Sequence, residues 1–249
     1  MYVLVWYKAT ASSIKDECLT ELYNILVSKY GKVTITRGRD HFYLGMRFQF
    51  NHHERTVNIS MSGFISDIIA QSGLTGKSAC PANEYLFITK ESPLLDIERS
   101  VRFHTFVAKL LYLSKRMRPD LLTLVSFLTT RVQNPTDDDE NKLFKGVRYL
   151  SHTRNLSMNL GIIGDVKITA YIDASFTIHA DMRSHTGVMI TMGKVSLYSK
   201  SSKQKLNTKS STESELVAIS DSVEFFVLSF CLEDLLYSDP FPMVIMTPV

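Results

Sequence analysis

The stretch Val166–Phe176, VKITAYIDASF, alternates apolar and polar residues up to an aspartate that is followed by small and polar side chains. Alternation with period two marks a half-buried β-strand. The aspartate at its end has two readings. Asp is common where strands stop, as a turn residue. A carboxylate at the end of a sheet strand is also a first ligand for a metal, provided that acidic partners come from elsewhere in the chain. Downstream, SHTGVMITMG and VSLYSKS read as further strands and STESELVAISDSVEFFVLSFCLEDLL as helix-like. Strand, strand, strand, helix is the beginning of an α/β unit.

A partner for Asp173 lies on that helix. SSTESELVAIS opens on hydroxyl caps, and its Glu215 stands beside Leu216 on the path toward Ala218 and Ile219, so its carboxylate is expected to face the sheet. A strand-end Asp facing a helix-borne Glu begins a magnesium site, because hard cations take oxygen ligands. Two such ions about 3.5–4 Å apart activate water and stabilise the leaving oxygen in phosphodiester cleavage. Two carboxylates are too few for two metals. Asp221, Asp234 and Asp239 remain, and each reads as a surface charge or cap.

Upstream, the chain divides into two further zones. To about Phe50 it reads strand, then a helix over SSIKDECLTELYNILVSKYG with a Ser cap and a glycine stop, then a hairpin of KVTITRG and HFYLGMRFQF. From about Thr56 to His152 it is helical: SMSGFISDIIAQSG, VRFHTFVAKLLYLSKRM, PDLLTLVSFLTTRVQ and DDDENKLFKGVRYLSH place apolar residues at helical spacing, with acidic starts and basic ends. The expected organisation is three units, 1–55, 56–160 and 161–249, in a mixed α/β (α+β) chain.

Composition excludes several classes. A chain of 249 residues with 45% hydrophobic content buries a real core. Its three cysteines, Cys18, Cys80 and Cys231, show no paired spacing; they fit a reducing compartment and read as packing residues. Among seven histidines, His52 and His53 are adjacent and no His-x-x-x-His pair occurs, which argues against a histidine metal site. The longest apolar run, Val223–Leu236, is too short for a bilayer and carries Glu224, Glu233 and Asp234, so no membrane segment is expected; the start, MYVLVWYKATASS, lacks the basic flank and cleavage signal of a secretory leader. Net charge is only +3, yet Arg116, Arg118, Arg131, Lys145, Arg148 and Arg154 recur along consecutive helices, and Lys200, Lys203, Lys205 and Lys209 cluster further on. Such groups either follow a phosphate backbone or form solvated helix faces.

Taken together, HFYLGM (41–46), ISDIIAQSGL (65–74), VAKLLYLSKRMRPDLLTLVSFLTTRV (107–132) with its Arg-Pro-Asp core, KLFKGVRYLSHTRNLSMNL (142–160), AYIDASF (170–176), DMRSHTGVMITMG (181–193) and SKSSKQKLNTKSSTESELVAIS (199–220) occur in a telling order. Over nearly its whole length the chain resembles the polyprotein of copia-type LTR retrotransposons, from the end of the reverse transcriptase palm through its helical thumb and connection into a truncated ribonuclease H-like fold. The resemblance implies that Asp173 and Glu215 are ribonuclease H ligands for Mg2+. It also implies that Arg116, Arg118, Lys145, Arg148, Lys200, Lys203 and Lys205 grip an RNA–DNA hybrid by shape and phosphates. A cytoplasmic setting, ancestrally in a virus-like particle with the rest of the polyprotein, follows from the same likeness. The chain also departs from the family. Leu4 and Val5 stand where the family carries the paired aspartates of its polymerase centre, and the strand expected to end in Asp-Asn is replaced by Thr247, Pro248 and Val249. Both catalytic centres are incomplete by this comparison, and the chain is expected to be inactive as it stands.

Overall fold

The computed structural model describes residues 10–11, 16–32, 38–51, 53–54, 56–161, 168–192, 195–225 and 244–245. After strand β1 (Thr10–Ala11), helix α1 spans Asp16–Tyr30 and stops at Gly31 as expected; its proposed Ser cap lies outside the described residues. The hairpin that follows pairs β2 (Asp40–Tyr43) with β3 (Met46–Asn51) around Leu44 and Gly45, both at positive φ. Positive φ at both central positions is the type I′ geometry that matches strand twist. The turn therefore falls inside HFYLGMRFQF, which the sequence presents as one strand, and most of KVTITRG lies outside the described residues.

β4 (Thr56–Ser60) joins β3, and β5 (Met158–Gly161) joins β4, giving an antiparallel sheet in the order β2-β3-β4-β5. Strands from both sides of 55/56 share this sheet, and the chain returns to it after the helices. Between β4 and β5 run α2 (Ser62–Ser72), α3 (Ile97–Arg116), a 3-10 turn at Pro119–Leu121, α4 (Leu122–Thr129) and α5 (Asp137–His152). Their caps are chemical. Asp96 accepts the Arg99 amide at the start of α3, and Thr136 and Asp139 form a reciprocal capping box at the start of α5. One core of Ile65, Leu110, Leu113, Leu121, Leu128 and Leu150, with Met46 and Ile59 from the sheet, holds helices and strands together.

The carboxy-terminal unit is a second antiparallel sheet, β6 (Ile168–Ser175), β7 (His185–Met192) and β8 (Val195–Lys203), followed by α6 (Ser211–Ser220). Helix α6 ends at Asp221, so the long helix read from the sequence is interrupted there; residues 226–243 lie outside the described set. The short strand β9 (Val244–Ile245) pairs with β1. With helices and antiparallel sheets side by side, the chain is α+β. No helix among the described residues is long and apolar enough to cross a membrane.

A carboxylate pair at an open sheet edge, and the basic surface

Asp173 sits near the end of β6, on the exposed half of the strand's alternating pattern. Its register partner on β7 is Gly187, which has no side chain, so the sheet face beside the carboxylate is left open. Among the described residues β6 is hydrogen-bonded to β7 on one side and to no strand on the other. At that edge the backbone N–H of Ala174 donates to Glu215 Oε1 at 3.2 Å. The sequence expectation that Glu215 turns toward the sheet thus has a direct geometric counterpart: its carboxylate caps the strand edge one residue along from Asp173.

Helix α6 opens on a hydroxyl cap, as the sequence indicates, and is held further by Gln204, which the sequence did not single out. The Ser210 hydroxyl accepts the Glu213 amide, and Glu213 Oε2 reaches back to the Lys209 amide, which fixes the first turn. Gln204, almost fully buried, donates from Nε2 to Thr186 Oγ1 on β7 and to the Ser214 carbonyl on α6. Strand and helix are thereby clamped at the residue before Glu215. Asp221 is the exposed C-cap residue of α6, as expected; Asp234 and Asp239 lie outside the described residues. Among the described residues no group of three or more His, Cys, Asp or Glu side chains converges on a metal-sized site. Asp173, exposed, and Glu215, anchored by a single amide, are the carboxylates at this edge that could serve a hard, oxygen-seeking cation.

The basic residues separate into different environments. Arg116 is exposed at the end of α3, with its guanidinium 5.5 Å from the Tyr112 ring centroid. Its neighbour Lys115 has its ammonium pKa lowered by burial and then by the nearby Lys200 of β8, so the end of α3 and the second sheet bring two cations together. Lys205 is exposed after β8, whereas Lys203 is ion-paired with Asp181 at 2.5 Å. On α5, Arg148 Nε donates to the Thr75 carbonyl, and Lys145 lines a cleft of about 130 Å³ with Lys90, Lys142 and Asp138. Arg118 corrects the sequence reading. Only 2% exposed, it donates to both Asp120 carboxylate oxygens and to the carbonyl and hydroxyl of Thr153, and it lies 5.3 Å from the Tyr149 ring centroid. Its guanidinium ties the turn after α3 to the end of α5 and presents no surface to a phosphate. Cys80 is an exposed thiol rather than a packing residue, and Cys18 and Cys231 side chains lie outside the description.

Comparison with known proteins gives relatives that include two named as transposon proteins. The chain is 28% identical over 185 residues to the retrovirus-related Pol polyprotein from transposon RE2 of Arabidopsis thaliana, a match covering 73% of this chain and 12% of that one. It is 27% identical over 220 residues to a putative transposon Ty5-1 protein of Saccharomyces cerevisiae, covering 84% of this chain and 66% of the relative. A third match, 27% over 127 residues, is to a protein of Plasmopara viticola named secreted RxLR effector protein 161; it covers 51% of this chain and 89% of the relative. These likenesses support derivation from a transposon polyprotein. The chain spans about an eighth of the RE2 polyprotein's length. No family model matches, and no solved structure matches.

Proposed function

We propose that this chain is a copia-type reverse transcriptase and ribonuclease H segment that binds RNA–DNA hybrid and holds a single magnesium ion between Asp173, Glu215 and the bound phosphate backbone. The observation that carries this reading is the Glu215 carboxylate anchored at the open edge of β6, one residue from Asp173. When bound, Mg2+ neutralises phosphate charge and acidifies a coordinated water. The chain's own residues supply the rest. Gln204 fixes α6 against β7, Gly187 leaves room above Asp173, and the Ala174 amide orients Glu215. Arg116, Lys200 and Lys205, with Lys145 and Arg148 on α5, follow the phosphates; Lys203 contributes less because Asp181 already neutralises it.

Hydrolysis by two metals needs further acids. Binding without cleavage is therefore the expected activity. The test is a labelled hybrid titrated with purified protein in Mg2+, with the RNA strand followed on a denaturing gel. Dissociation constants on the order of 1–100 µM at physiological salt, with intact RNA, agree with the reading. RNA cleavage that disappears in both Asp173→Asn and Glu215→Gln would replace it with an active nuclease, and absence of any binding at low salt would replace it with a structural protein.

A further inference from the structure

A chain of polar groups, buried at its two imidazoles and exposed at Thr123, crosses the junction between the helical unit and the second sheet, and neither the metal edge nor the basic surface uses it. His179, in the turn between β6 and β7, places Nε2 3.0 Å from Nδ1 of His185 at the start of β7. His185 Nε2 lies 2.7 Å from Ser201 Oγ on β8, and the Ser201 hydroxyl donates to Thr123 Oγ1 on α4. Both imidazoles are 6% exposed. Phe87 covers them from the helical side, its ring centroid 5.0 Å from each, and packs edge-on against Phe127 of α4.

His185 uses both ring nitrogens, and in either neutral tautomer one donates and the other accepts. An added proton takes the nitrogen that accepts, so the donor facing it must turn away or shift its own proton. A cation is then left under an aromatic lid.

Of the charged neighbours only Asp181 offsets it, and for His179 alone. Lys203 on β8 adds positive charge, and Asp181 in the turn is already paired with Lys203 and lies 3.5 Å from Arg183. From the helical side come Phe87 and Phe127, uncharged, with Lys142 over the Phe127 ring. Serine, histidine and histidine also have the order of a nucleophile, base and orienting group. Here, however, the rings are sealed, and burial followed by His179 pushes His185 down to about 4, too weak a base at neutral pH. His179 is lowered as well, by burial and then by Lys203.

We infer that the His179–His185–Ser201–Thr123 relay is an acid-released latch that docks the β6–β8 sheet on α4 while its imidazoles are neutral and lets it go when they are protonated. In the opened junction a histidine titrates near ~6.5; in the closed one His185 titrates at about 4. Opening takes up protons, so the latch is at full strength above the ordinary histidine value and weakens as pH falls toward the closed one.

Amide hydrogen exchange of the full chain tests this, with rates corrected for intrinsic pH dependence. Between pH 6 and 5 the opening constant of segments 122–129, 185–192 and 195–203 is expected to rise ~tenfold for each proton taken up, while segment 103–113 in the helical core stays protected. Replacing both rings, His179→Gln with His185→Gln, is expected to remove that rise. A rise of the same size in the double variant, or none in the wild-type chain, overturns the inference. Should the double variant not fold, the imidazole resonances of the wild-type chain decide it. His185 protonation coincident with opening supports the latch; protonation near the ordinary histidine value in a closed junction overturns it.

Discussion

Glu215 Oε1 accepts the backbone N–H of Ala174 at 3.2 Å, across the outer edge of the strand that carries Asp173. An edge N–H left without an acceptor is a template for pairing with another chain, so this carboxylate has a structural duty as well as the ligand role proposed for it. Glu215→Gln retains an acceptor oxygen and is expected to change stability by less than about 0.5 kcal/mol, whereas Glu215→Ala is expected to cost about 1 kcal/mol. Urea unfolding of the two variants separates the duties: both lose the ligand charge, and only the alanine variant loses the cap.

Arg118 is a buried cation that ties the turn after α3 to the end of α5. Lysine keeps the charge but cannot reach Asp120 and Thr153 in the same forked geometry. Arg118→Lys is expected to destabilise the chain by about 2–3 kcal/mol, while exposed Arg116→Lys leaves the unfolding midpoint within error. Equal effects from the two substitutions would mean that the buried fork contributes little.

A Cβ added at Gly146 on α5 would stand 2.3 Å from Leu124 Cδ2 on α4, and both residues are buried. Alanine gains helix stability of about 0.5–1 kcal/mol, but overpacking costs about 1–3 kcal/mol. The net expectation for Gly146→Ala is a loss of about 1 kcal/mol. A compensating Leu124→Ala in the same chain should recover part of the clash and add a cavity elsewhere, so the pair is expected to be non-additive in a double-mutant cycle.

Hybrid binding should depend steeply on salt. Removing one phosphate contact flattens the slope of log affinity against log salt by about one unit. Lys200→Ala and Lys205→Ala are each expected to do so, and Lys203→Ala to do so less, because its ammonium already faces Asp181. Equal slopes for all three lysines would count against the assigned surface.

Local chemistry was legible in the sequence wherever its partners are close along the chain. The hydroxyl cap read at the start of SSTESELVAIS is Ser210, three residues from the Glu213 amide it accepts, and the turn of Glu215 toward the sheet follows from its helical neighbours. What stayed hidden depends on distant partners. Arg118 has the outward signs of a basic helix end, and only Thr153, 35 residues on, puts it inside. The first sheet joins β4 to β5 across the whole helical unit, which no periodicity reports. The Leu44–Gly45 turn was missed because leucine is an uncommon residue at positive φ. His179 and His185 meet because a turn folds one back on the other, at a spacing that matches neither a helix nor a strand.

The most direct measurement is a magnesium titration of the full chain followed through the backbone amide resonances of Ala174 and Gly187, in the wild-type protein and in Asp173→Asn and Glu215→Gln. The account predicts saturable shifts of both amides in the wild type, their loss in either variant, and tighter hybrid binding by Mg2+ in the wild type alone. Amides that do not move with Mg2+, or that move equally in all three proteins, would contradict a magnesium site formed by these two carboxylates.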